Sequence, residues 1–223
     1  GTPVAVKRVV DKKPDALNDG QGSEFEQELE VLSQIAHSKI VRFLGYCPSP
    51  PSMVLEYYSL GCLDKVMYEK RLRLTVAQNT SVALDVALGM AYLHHQRILH
   101  RDIKPQNILL DDGFVGRIAD FGLAKNNVGP EGVHSAGMTG TVPYMAPEIL
   151  SRAPYGYAVD VYAYGVMLNE MFALQRPYDG NQVEWVMSAV LSTNLRPQLA
   201  SSMPPIAAML AQRCWATEPN NRP

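Results

Sequence analysis

Residues 100–107 read His-Arg-Asp-Ile-Lys-Pro-Gln-Asn, and Asp120-Phe121-Gly122 follows thirteen residues after Asn107. These residue types suit the transfer of a phosphoryl group. That reaction needs metal ions to neutralise triphosphate charge, a cation on the phosphates and an oriented acceptor hydroxyl. Mg²⁺ prefers hard oxygen ligands, and the Asp120 carboxylate and the Asn107 amide are of that kind. Asp102 can orient a hydroxyl and take its proton, with Lys104 beside the transferred phosphate. A lone His-Arg-Asp triplet is most simply a surface turn. Turn chemistry does not account for the triplet followed in order by Lys104, Asn107, Asp-Phe-Gly at 120–122 and Ala-Pro-Glu at 146–148.

The chain that must position these groups has 223 residues, 47% hydrophobic and 19% charged, which fits a globular protein with a sizeable core. A net charge of −2 argues against broad electrostatic binding to nucleic acid or to an anionic membrane surface. Three scattered cysteines, Cys47, Cys62 and Cys214, make neither a disulfide framework nor a zinc site. A reducing, cytoplasmic setting is the simpler reading, either for a whole protein or for the cytosolic domain of a longer, membrane-anchored one. No apolar run reaches the ~18 residues of a membrane span.

The periodicity predicts strands first and helices after. Val4–Val10 reads as a strand and residues 11–22 as a polar loop, with Ser23 capping the next helix. Phe25, Leu29, Leu32 and Ile35 recur at helical spacing, and Glu28 lies on or beside that apolar face, where a charge needs a partner. Ile40–Tyr46 and Met53–Tyr58 read as strands around a Pro/Ser turn. Beyond Gly61 a helical stripe runs through residues 75–95. Short strand-like runs follow at Ile98-Leu99, Ile108–Leu110 and Arg117–Ala119. Residues 126–140 read as a mobile loop, Tyr157–Leu174 as a buried helix, and 181–192 and 205–214 as further helices. The expected fold is α+β in two lobes, 1–58 mainly β with one helix and 59–223 mainly α.

Taken together, these motifs resemble the eukaryotic protein kinases, over essentially the whole chain. The resemblance implies ATP and Mg²⁺ (Mn²⁺ as a substitute), protein substrates, and a set of site residues. Lys7 in Val-Ala-Val-Lys resembles the strand lysine on the α- and β-phosphates, and Glu28 its helix partner. Ala5 and Leu109 would sandwich adenine, Leu55 takes the gatekeeper position, and the main chain of Glu56 and Tyr58 would bond the base. Cys62 falls at the lip of the nucleotide pocket as a thiol open to electrophiles. Asn107 and Asp120 would hold metal, and Leu32, Phe43, His100 and Phe121 would stack between the lobes. Asp160 resembles the aspartate that anchors the catalytic-loop backbone, and Glu148 with Arg222 a buried ion pair.

Lys104 together with Thr141, placed to bond Asp102 and Lys104, resembles serine/threonine kinases. Cys214-Trp215 and the closing Arg222-Pro223 resemble the tyrosine-kinase-like group. Arg101 and Lys125 are expected to pair with a phosphate on the activation segment, residues 120–148, added by the protein itself or by an upstream kinase. Ser135 and Thr139 are the candidate acceptors and Thr141 a weaker one. Only Gly1-Thr2-Pro3 precede the Lys7 strand, whereas the family pattern places a glycine-rich loop and two strands there. The expectation is a piece of a larger domain that binds ATP weakly by itself. The competing readings are a pseudokinase scaffold, a tyrosine or dual-specificity kinase, and an unrelated metal-dependent phosphotransferase.

Overall fold

The computed structural model describes residues 1–8, 24–129, 132–133 and 138–223. The expected loop at 11–22, the Ser23 cap, Val9, Val10 and Ser135 lie outside these residues. The first lobe is a sheet with one helix. Strand β1 (Val4–Arg8) pairs antiparallel with β3 (Pro51–Glu56), which pairs with β2 (Phe43–Pro48), in the order β1-β3-β2. Ala5 lies opposite Leu55 and Lys7 opposite Met53. Helix α1 (Glu24–Gln34) carries Glu24 and Glu26 in its first turn, where carboxylates suit the helix dipole, and buries Val31, Leu32 and Glu28.

Two predicted strands shift. The first strand of the hairpin begins at Phe43, not Ile40, and the second ends at Glu56, not Tyr58. Ile40 makes an isolated parallel bridge to Ile118, because the segment after α1 leaves the sheet. There Ile118 donates its amide to the Lys39 carbonyl at 2.9 Å, and Val41 donates to the Ile118 carbonyl at 2.8 Å. Lys39 also pairs with Asp85 at 2.6 Å, and Gly116 donates its amide to the same carboxylate at 2.9 Å.

The second lobe opens with β4 (Gly61–Cys62), which pairs with β5 (Ile108–Leu110) and through it β6 (Gly116–Ile118). Cys62 lies opposite Leu109. A π-helical turn at Lys65–Glu69 precedes helix α2 (Val76–His95), whose start is fixed by a reciprocal Thr75–Gln78 capping box. A short helix α3 (Pro147–Leu150) leads to α4 (Ala158–Ala173), and α5 (Val183–Ser192) and α6 (Pro205–Cys214) follow.

Helix α4 is buried nearly all round and is the centre of this lobe. At Gly165 it meets α6 so closely that a Cβ would stand 2.6 Å from the Cβ of Cys214, so no larger residue fits without moving a helix. The result is bilobal, a small β-sheet lobe on a larger helical one. Ile98-Leu99 is a single bridge, Leu99 to Lys125, rather than a strand.

Candidate active site

The strand-then-helix order of the first lobe sets Lys7 against Glu28. The Lys7 ammonium lies 2.5 Å from the Glu28 carboxylate and 3.2 Å from that of Asp120. Glu28 is 2% exposed, so the charge on the apolar face of α1 has found its partner. Burial pulls the Lys7 ammonium down, but the carboxylates of Glu28 and Asp120 outweigh it and hold it above its usual range. Burial raises the Glu28 carboxyl, against the opposing pull of Lys7.

The loop at 100–107 is held from beneath by Asp160, which is fully buried in the first turn of α4. Its carboxylate accepts the amides of His100 at 2.9 Å and Arg101 at 2.8 Å, and its Oδ2 lies 2.9 Å from His94 Nε2. Burial works against the ionised Asp160, yet these donors, His94 first, bring its carboxyl below the ordinary range. Burial lowers His100, so its imidazole is neutral at pH 7. Its Nδ1 accepts the Asp102 amide at 3.2 Å, which leaves the proton on Nε2, 3.1 Å from the Ala119 carbonyl. The His100 ring meets Phe121 edge-on at 5.0 Å; Leu32 is buried and Phe43 half-buried.

Asp102 is the hub of the loop. Its Oδ1 accepts the Thr141 hydroxyl at 2.8 Å, and its Oδ2 lies 2.6 Å from Lys104 Nζ and 2.9 Å from Asn107 Nδ2. Lys104 also donates to Thr141 Oγ1 at 2.6 Å. The expected Thr141–Asp102–Lys104 grouping is therefore present as a closed triangle. Asn107 commits its amide nitrogen to Asp102, which frees its carbonyl oxygen to act as a ligand. Ala119 donates to the Asn107 carbonyl of the main chain at 2.8 Å, which brings Asp120 alongside Asn107. A half-exposed carboxylate and one amide oxygen suit Mg²⁺, which keeps several waters and takes few protein ligands.

The other expected nucleotide residues lie on strands of the two sheets or just after one. Ala5 and Leu55 are register partners on the first sheet, Cys62 and Leu109 on the second. The Glu56 amide donates to the Arg42 carbonyl at 3.0 Å, and Glu56 lies opposite Val4 in the sheet. The Tyr58 ring is buried beneath the Arg117 guanidinium, and its hydroxyl donates to Glu56 while accepting the Arg42 amide.

Arg101, one of the expected phosphate-binding pair, has partners of its own in this structure. Arg101 donates Nε to the Leu123 carbonyl at 2.6 Å and Nη1 to the Tyr155 hydroxyl at 3.3 Å. The Lys125 side chain is exposed, and its main chain pairs with Leu99. Thr139 is half-buried.

Sequence reasoning missed a second polar cluster. Glu170 of α4, 1% exposed, accepts the hydroxyls of Tyr144 at 2.5 Å and Tyr68 at 2.9 Å. Nearby, Asp64 joins Gln106, at 2.6 Å, to Arg176, at 2.9 Å. A carboxylate inside an apolar helix was the available signal, but its partners lie on distant segments.

Burial pushes the Glu170 carboxyl up to about 7, against the two hydroxyls that favour its ionised form. The folded chain thus holds that proton more tightly than the unfolded chain. The stability it adds is complete below about pH 4.5 and is lost as pH rises through about 7. Thermal midpoints of the wild type and of Glu170→Gln between pH 5 and 8 check this. The wild type is expected to lose ground relative to the variant as pH rises; a constant difference would refute it.

Residues 1–223 match the family described as protein tyrosine and serine/threonine kinase. Serine/threonine-protein kinase STY17 of Arabidopsis thaliana is 33% identical over 213 residues, 95% of this chain and 37% of its own length. Serine/threonine/tyrosine-protein kinase HT1 of the same organism is 36% identical over 203 residues, 90% of this chain and 52% of its own. Probable serine/threonine-protein kinase drkD of Dictyostelium discoideum is 34% identical over 227 residues, all of this chain and 17% of its own. The chain thus spans between about a sixth and a half of these relatives. A match over every residue, on a two-lobed fold, means that the chain belongs to the protein tyrosine and serine/threonine kinase family.

Proposed function

We propose that the chain is the catalytic domain of an ATP-dependent protein kinase that phosphorylates serine and threonine hydroxyls. The observation that carries this reading is the closed triangle of Asp102, Lys104 and Thr141, with hydrogen bonds of 2.6–2.8 Å on every side.

In this reading Asp102 accepts the proton of the incoming hydroxyl, and Thr141 and Asn107 keep its carboxylate aimed. Lys104 lies beside the transferred phosphoryl group. Lys7, oriented by Glu28, receives the α- and β-phosphates. Asn107 and Asp120 would hold Mg²⁺, which would neutralise charge on the triphosphate. Ala5 and Leu109 cover the two faces of adenine behind Leu55, the Glu56 carbonyl and Tyr58 amide face its edge, and Cys62 stands near the ribose.

Residues 1–58 would then serve as the nucleotide-side lobe and 59–223 as the acceptor-side lobe. Protein substrates and a cytoplasmic setting complete the reading. Among the described residues no helix is long and apolar enough to cross a membrane.

The name of HT1 includes tyrosine, so dual specificity is the second reading. One experiment separates the two. The protein carrying this chain is incubated with Mg²⁺, γ-labelled ATP and a general acceptor such as casein, and the labelled amino acids are resolved. Phosphoserine and phosphothreonine alone are expected. Phosphotyrosine beside them favours dual specificity, and absence of transfer overturns the kinase reading.

A further inference from the structure

Between residues 125 and 133 the described part of the activation segment is fastened to the rest of the lobe by main-chain and hydroxyl hydrogen bonds. Leu99 and Lys125 exchange both main-chain hydrogen bonds, at 3.0 and 2.8 Å. Val128 donates its amide to the Arg97 carbonyl at 3.2 Å, and its own carbonyl accepts the Tyr157 hydroxyl at 3.0 Å. Val133 exchanges both main-chain bonds with Tyr155, at 2.7 and 3.2 Å. That approach depends on Gly132, whose φ is +74° and where a Cβ would stand 2.7 Å from the Tyr155 carbonyl oxygen.

Tyr155 reaches the segment a second time through its side chain. The ring is buried, and the hydroxyl accepts Nη1 of Arg101, whose Nε holds the Leu123 carbonyl. Arg101 itself sits at φ +69°, its amide fixed by Asp160. A left-handed arginine costs energy and persists only where its surroundings dictate it. One residue five positions before Asp160 therefore touches the segment near both ends of its first half, at Leu123 through Arg101 and at Val133 directly.

A phosphate opposite Arg101 would do the same mechanical work, pinning the segment to the catalytic loop. We propose that Tyr155 positions Arg101, and through it the activation segment, so that the segment is set for catalysis without an added phosphate. Tyr155 is a positioning residue; it reaches the reacting groups only through Arg101 and the loop that carries Asp102. The proposal rests on the kinase reading for its catalytic consequence and on geometry alone for its structural one.

The test compares wild type and Tyr155→Phe, each before and after phosphatase treatment, with intact mass confirming the phosphate count. Dephosphorylated wild type is expected to keep its kcat within about twofold. Dephosphorylated Tyr155→Phe should lose at least tenfold in kcat with the KM for ATP within twofold. Phosphorylated Tyr155→Phe should recover most of the loss, because a phosphate can then take the free Nη1. A merely structural tyrosine would not make activity depend on phosphate.

Amide hydrogen exchange over residues 122–129 and 132–133 is read in the same four samples. Phosphate-free wild type should be protected and phosphate-free Tyr155→Phe should exchange about tenfold faster. This readout stands even if no phosphoryl transfer is found, so failure of the kinase reading is distinguished from failure of this one. Tenfold or greater loss of wild-type activity on dephosphorylation overturns the proposal, as does equal protection in wild type and variant. Should Tyr155→Phe not fold, Arg101→Met tests the link from its other end, with activity expected low and indifferent to phosphate. Sensitivity of that variant to phosphatase would count against the proposal.

Discussion

Asparagine at position 102 is expected to lower kcat by ~10²–10⁴-fold, the usual weight of a positioned general base, with the fold intact. The carboxylate that can take a proton becomes an amide that cannot. The surrounding donors still find partners. The amide oxygen can turn toward Lys104 and Asn107, and its nitrogen can donate to the Thr141 hydroxyl, which has lone pairs to spare. The pair of Lys7 with Glu28 and the carboxylate of Asp120 lie on other segments, so the KM for ATP should stay within a few-fold. Steady-state kinetics of Asp102→Asn, with the thermal midpoint as a folding control, check this. Retention of activity within tenfold would remove Asp102 from the role proposed for it.

The second large effect concerns stability. Arg222 makes a forked contact with Glu148, at 2.6 and 2.9 Å, and also donates to the carbonyls of Ala158, Ala216 and Thr217. Its guanidinium lies 5.1 Å from the centre of the Tyr162 ring. The arginine side chain is 0% exposed and that of Glu148 10%. Arg222→Ala leaves a buried carboxylate without its cation, a change that costs about 3–5 kcal/mol. A typical domain has about 5–15 kcal/mol to lose, so the variant should sit near the edge of folding. Urea midpoints are the measurement. The double variant Arg222→Ala with Glu148→Ala is expected to lose less than the sum of the two single changes, because it strands no charge. Strict additivity would mean that the pair is not coupled.

The framework was legible wherever one segment carried its own signal. The stripe through residues 75–95 and the all-round apolar run at 157–174 became α2 and α4 within a residue or so of the expected ends. Glu28 stood out from Glu24, Glu26 and Glu30 by its apolar flanks, and its pairing with Lys7 was what the family resemblance implied. The motif spacing identified the groups around Asp102.

What escaped was decided by partners far along the chain. Ile40 has strand propensity, but its neighbour is Ile118, and that contact draws it out of the sheet. Arg101 is expected to meet a phosphate because it precedes Asp102 while Lys125 follows Asp-Phe-Gly. Nothing local announces that a tyrosine 54 residues later accepts one of its N–H groups. Glu170 was hidden for the same reason, its two hydroxyl donors coming from a π-helical turn and from the segment before α3.

The bonds between residues 39–41 and Ile118 give the small lobe a fulcrum. The chain just past α1 is pinned to β6, and Lys39 is tied to α2 through Asp85. The C-terminal end of α1 therefore has a fixed neighbour, while its other end reaches out toward Asp120. An 11-residue helix is about 16 Å long, so a tilt of ~10° about the pinned end carries the free end by ~3 Å. Near that pivot the same tilt moves almost nothing. Glu28 sits partway along the lever, so the same tilt would shift it by ~1.6 Å against Lys7 while the contacts at Lys39 and Val41 stayed closed. The Lys7–Glu28 ion pair thus sits where a tilt of the helix would be felt, and the loop at 39–41 where it would not.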